Sequence, residues 1–170
     1  MSILFKRRDT VKVIMSRSAY SGLLIALAAL ITASFFYRTP APAAVPPARA
    51  EFGGVSLRID YALSEESREK GLGGRVSIPD DYGMLFIFPK DGRYGFWMKD
   101  MLVPLDIFWL DAQGHVVSIS HDVATSSYPN VFYPAAPARY VLETSAGFAR
   151  AHAVATGTPL LLKNIPAVSE

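Results

Sequence analysis

From Ala19 to Tyr37 the chain reads AYSGLLIALAALITASFFY, a run without a single charge, with Arg17 before it and Arg38 after it. At 1.5 Å per residue a helix of about nineteen residues reaches roughly 28 Å, close to the hydrocarbon thickness of a bilayer. It is also longer than the apolar core of a cleavable signal peptide. The expectation is a transmembrane signal-anchor helix over residues 19–37. Lys6, Arg7, Arg8, Lys12 and Arg17 precede it, while only Arg38 and Arg49 follow in the first downstream stretch. That asymmetry assigns residues 1–18 to the cytoplasm as a basic segment and the remainder to the outside of the cell membrane. The alternative is cleavage after a small residue such as Ala33 or Ala43, which would release a secreted or periplasmic domain.

Residues 38–50 are rich in proline and alanine (TPAPAAVPPARA from Thr39), cannot continue a helix, and read as an extended semi-rigid linker. Residues 51–170 are then left for one folded domain, long enough to bury a core. Of the 17 Lys/Arg and 15 Asp/Glu, residues 1–50 hold seven and one, so ten basic and fourteen acidic side chains remain. The domain is therefore mildly acidic, roughly −4 in net charge, and carries no basic stripe. The basic isoelectric point belongs to the leader, and no nucleic-acid partner is expected. With no cysteine there is no disulfide, thiolate nucleophile or cysteine-ligated metal.

Within the domain, Val55, Leu57, Ile59 and Tyr61 alternate with Ser56, Arg58, Asp60 and Ala62, the period of a half-buried strand. Ser64 followed by Glu65 and Glu66, with Gly71 as the stop, predicts a helix of about two turns. The run from Gly83 to Pro89 is short, continuous and apolar, and predicts a strand covered on both faces. Turn residues Pro89 to Gly92 follow it, and Tyr94–Met98 reads as the return strand of a hairpin. Leu105–Leu110 and His115–His121 form a second hairpin around the turn Asp111–Gly114. Asp122–Ala138 reads as a loop, Arg139–Glu143 and Leu160–Lys163 as further strands, and Gly147–His152 as a short helix. The fold class is mainly β (α+β), a small antiparallel β-barrel-like domain with one or two short helices and no βαβ alternation.

Residues 71–162 resemble the bacterial and archaeal family called domain of unknown function 192. The resemblance rests on GMLFIF (Gly83–Phe88), FWMKD (Phe96–Asp100), VPLDIFWLD (Val103–Asp111), Gly114 and YVLE (Tyr140–Glu143). The family pattern GLM followed by Arg is here Gly71-Leu72-Gly73 and Arg75; FWMKNT is here interrupted at Asp100-Met101; a late GD is Gly157-Thr158. The cysteine pair that many relatives carry in the long loop is missing around Tyr128 and Pro134. The resemblance implies a compact β-barrel-like domain, often exported or membrane-attached, without an established activity.

Asp106 is the most informative polar residue, because it interrupts an apolar strand where an unpaired carboxylate would be costly. Lys99 and Arg75 are its expected cationic partners in a structural ion pair, and Glu143 joins the cluster by the same logic. Trp97 and Lys99 share one face of their strand, with Phe96, Met98 and Asp100 on the other. That face suits sugar or anion recognition; the competing arrangement buries Trp97 in the core with Lys99 snorkelling past it. His115 and His121 are six residues apart on one strand, roughly 20 Å, too far for one coordination sphere. No metal and no cofactor is expected. No nucleophile elbow or phosphate-cradling glycine loop occurs, so catalytic residues stay unassigned.

The sequence thus points to an uncharacterised membrane-anchored extracytoplasmic domain acting as a noncatalytic ligand-binding module of the cell envelope. Arg75, Trp97, Lys99, Asp106 and Glu143 are the expected binding residues, and a small polar or saccharide compound is the expected ligand. The alternative is a hydrolase or lyase acting on an envelope saccharide or peptide, with Asp106 and Glu143 as acid and base.

Overall fold

The computed structural model describes residues 48–163 together with 165 and 166. The expected membrane segment Ala19–Tyr37 lies outside the described residues. Among the described residues no helix is long and apolar enough to cross a membrane.

Among the described residues nine strands follow in chain order: β1 (Ala48–Phe52), β2 (Val55–Ala62), β3 (Tyr82–Gly92), β4 (Phe96–Trp97), β5 (Leu105–Leu110), β6 (Val116–Val123), β7 (Val131–Phe132), β8 (Ala138–Ser145) and β9 (Leu160–Leu162). Two short helices, α1 (Glu65–Lys70) and α2 (Phe148–Ala151), accompany them. Seven strands form one sheet in the order β6-β5-β8-β3-β2-β1-β9, and β4 pairs with β7 in a separate ribbon. The sheet curls until its two ends meet. His115 bridges Pro159, Val116 donates to the Thr158 carbonyl at 3.0 Å, and Leu160 donates to the Gly114 carbonyl at 2.9 Å. The mainly β class with two short helices is thus observed.

Three expectations need correction. The sheet is not wholly antiparallel, because β2 and β3 run parallel. Parallel neighbours need a crossover, and the stretch containing α1 supplies it, making a βαβ unit that alternation alone did not reveal. Phe96–Trp97 is not the return strand of a hairpin with β3. It pairs instead with Val131–Phe132, within the stretch read as a loop. Finally, β1 begins at Ala48, inside the stretch read as linker, and pairs with both β2 and β9.

Each central strand is covered on both faces, which explains its unbroken apolar run. Leu85, Ile87, Phe108, Leu110 and Leu142 face the concave side, where α2 closes the core with Phe148 and Ala149. Met84, Phe86, Ile107, Trp109 and Val141 face the other side, covered by Leu72 of the crossover and by Phe96 and Met98. The expected first helix is capped as the sequence suggested: the Ser67 N–H donates to Ser64 Oγ, and Ser67 Oγ accepts from the Ser64 N–H.

Candidate functional site

The pleat of the sheet separates the two acids that sequence reasoning had placed together. Glu143 stands opposite Met84 on β3 and Ile107 on β5, so it points to their face of the sheet. Asp106 is next to Ile107 on β5 and points the other way. Both are buried, Asp106 at 0% exposure and Glu143 at 5%.

Asp106 meets neither Lys99 nor Arg75. Its Oδ1 accepts the Asp122 N–H at 2.7 Å and its Oδ2 the Ala149 N–H at 2.8 Å. The first bond anchors a bulge: between Ser120 and Val123 two residues of β6 oppose one of β5, and Asp122 has φ +46°. The second satisfies an N–H in the first turn of α2, which has no intrahelical partner of its own. Asp106 therefore holds a strand bulge and a helix start against the concave core. The expected cationic partner is replaced by two backbone donors.

Glu143 is different. Its Oε2 has no hydrogen-bond partner among the described residues, and burial pushes its carboxyl up to about 8. Among the described residues no cation lies close enough to offset that desolvation, so burial favours the neutral carboxyl. It lies at the floor of an open cleft of about 510 Å³, which Trp97 and Lys99 also line. Three of the five expected residues thus share one concavity. Asp106 and Arg75 do not. The Arg75 guanidinium lies 4.8 Å from the centre of the Tyr82 ring and 3.4 Å from Asp60 Oδ2, which also accepts the Tyr82 hydroxyl at 2.6 Å.

The cleft is framed by α1, the far end of β3 and the stretch around β4. Gly71 ends α1 with φ +49° and ψ −135°, a backbone region that side-chain-bearing residues avoid. A Cβ there would sit 3.5 Å from Glu143 Oε2 and 3.3 Å from the Phe86 ring, so the glycine keeps the floor open. The turn that follows docks onto the β4 stretch through Gly74, whose N–H donates to the Asp100 carbonyl at 2.9 Å. Asp100 accommodates this with φ +57°, a left-handed conformation that aspartate tolerates better than most residues.

The wall is aromatic. Phe88 and Tyr94 stack with ring centres 3.6 Å apart, and Phe86 meets Phe96 edge-on at 4.8 Å. Trp97 is 47% exposed and meets Tyr128 at 6.2 Å, so the arrangement with Trp97 buried is overturned. Trp109 is the buried tryptophan, its indole N–H donating to the Tyr94 carbonyl at 2.8 Å. Sequence reasoning missed Gly71, Phe88, Tyr94, Lys70 and Lys90 as lining residues. Only Phe88 carried a signal, as the last aromatic before the Pro89 turn.

The family model of domain of unknown function 192, described as an uncharacterized ACR, matches residues 48–162. The chain belongs to this family. Among curated proteins none matches. The solved structures that this chain resembles include two of note. One, a proposed transcription regulator from Sinorhizobium meliloti, is 28% identical with a TM-score of 0.62, over 68% of this chain and 95% of its own. The other, a protein of unknown function from Novosphingobium aromaticivorans, is 25% identical with a TM-score of 0.61, over 72% of this chain and 90% of its own. This member of the family thus carries its buried, unpartnered glutamate on a fold shared with both.

Proposed function

We propose that the domain is a noncatalytic binding module of the cell envelope, tethered to the membrane by residues 19–37, whose cleft takes a small polar or saccharide ligand. The observation that carries this reading is the unpartnered Glu143 carboxyl beneath an aromatic wall. A buried polar group without a partner costs about 1–3 kcal/mol, and a ligand atom that completes its hydrogen bond recovers part of that cost. Aromatic faces beside convergent polar groups are what ring-shaped polar ligands require. The exposed Trp97 extends that surface beyond the cleft mouth.

The separation of Asp106 from Glu143 favours binding over hydrolysis, since an acid and a base acting on one bond must face one substrate. Titration of the full chain with envelope saccharides, read by thermal shift and product analysis, tests the reading. Saturable stabilisation without turnover is the expected result, weakened in Trp97→Ala; turnover of a bound saccharide would overturn the noncatalytic assignment. For the tether, a reporter fused after Glu170 is expected to be active only outside the cytoplasm, and carbonate washing to leave the protein in membranes. Recovery in the soluble fraction would instead support cleavage.

A further inference from the structure

The charges around the cleft are unequal. Arg68, Lys70, Lys90 and Lys99 line it against Glu65 and Glu69, with Glu143 at the floor. Arg68 is committed elsewhere, donating to the carbonyls of Leu63 at 2.6 Å and Ile87 at 3.2 Å while lying over the Phe88 ring at 5.3 Å. The three lysines are exposed and enter no ion pair among the described residues. Their ammonium groups are therefore available to a ligand.

We propose that the cleft selects a small ring compound bearing a carboxylate: the ring lies on the wall of Phe88 and Tyr94, the carboxylate meets Lys70, Lys90 and Lys99, and an uncharged oxygen hydrogen-bonds to Glu143. This rests on the binding reading given above and adds the ligand's charge to it. A neutral floor beneath a net-positive rim accepts an anion without like-charge repulsion. A cationic ligand would have to pass the lysines, and the floor would offer it a carboxyl whose charged form burial disfavours.

Above pH 8 the floor becomes a carboxylate and repels the same ligand, so affinity falls with pH, by up to about tenfold per unit. The titratable and charged groups that share the cleft with Glu143 are Glu65, Arg68, Glu69 and Lys70 on and beside α1, Lys90 on β3, and Tyr94 and Lys99 around β4.

The test is calorimetry on the full chain with two matched sets: glucuronate, glucose and glucosamine, then cyclohexanecarboxylate, cyclohexanol and cyclohexylamine. Each is measured at pH 6.5 and pH 9, on the parent, Glu143→Gln, and a Lys70→Gln/Lys99→Gln double variant, with folding checked by circular dichroism. The expected result is carboxylate binding at least about threefold tighter than its alcohol and amine partners at pH 6.5. That preference should fade at pH 9 in the parent, persist at pH 9 in Glu143→Gln, and shrink in the lysine variant. Binding in which the amine wins, or in which charge makes no difference, overturns the proposal while leaving a binding cleft. Equal binding at both pH values removes the role of Glu143. If no probe of either set binds, the binding reading falls and takes this inference with it.

Discussion

The two buried acids of this domain sit one pleat apart and have opposite fates. Asp106 faces the concave core and has both carboxylate oxygens filled by backbone N–H groups. Glu143 faces the outer layer with Oε2 unfilled beneath a cleft. Burial is nearly the same, so burial alone does not make a carboxyl structural or functional. What differs is whether the chain supplies the donors. A β-bulge and a helix start leave two N–H groups without ladder partners near Asp106, whereas the regular ladder around Glu143 spends its N–H groups on neighbouring strands.

The largest loss of stability is expected at Asp106. Asp106→Ala leaves the buried Ala149 N–H and the partly buried Asp122 N–H without acceptors, and a loss of about 2–4 kcal/mol is expected in urea unfolding. A loss under about 1 kcal/mol would show that the bulge and α2 do not depend on it.

Glu143→Gln has the opposite sign. The folded chain keeps its proton up to about 8, whereas an unperturbed glutamate releases it near 4.5. Between those values the unfolded state binds fewer protons, so stability falls as pH rises, by up to about 1.4 kcal/mol per unit. Below about pH 4.5 the contribution is fully present, and above about pH 8 the loss is complete. Unfolding curves of the parent and Glu143→Gln across pH 5–9 should therefore diverge, with the variant more stable by about 4 kcal/mol at pH 8. Parallel curves would place Glu143 in contact with water or a cation.

Smaller effects sharpen the cleft itself. Gly71→Ala combines a strained φ with a tight approach to the Phe86 ring, and is expected to cost about 1–2 kcal/mol in denaturant and to weaken ligand binding. Trp97→Ala, at an exposed position, should change stability by less than about 1 kcal/mol. A larger loss would mean that Trp97 holds the β4–β7 ribbon together through Tyr128.

Much of the framework was legible because its signals are local. Period-2 alternation marked Val55–Ala62, Ser64 and Gly71 bounded α1, and the apolar run at Gly83 announced a strand with two covered faces. The parallel pairing of β2 with β3, and of β4 with β7 across a long loop, was not legible. Pairing partners distant in the chain leave no mark in either segment alone. The site was partly legible. Trp97, Lys99 and Glu143 do share a cleft, but Arg75 joined them only on the assumption that charges near Asp106 would seek it.

The sequence by itself determined that most strands are short and turn-bounded, that the cores are apolar, and that Asp106 and Glu143 interrupt apolar strands, because composition and periodicity act within a few residues. Only the tertiary structure decided which face each acid occupies and what it meets there. Cross-strand register aligns Glu143 with Ile107 and thereby turns Asp106 to the opposite side. That register depends on pairings across the whole sheet, so one acid anchors the fold and the other waits under an open cleft.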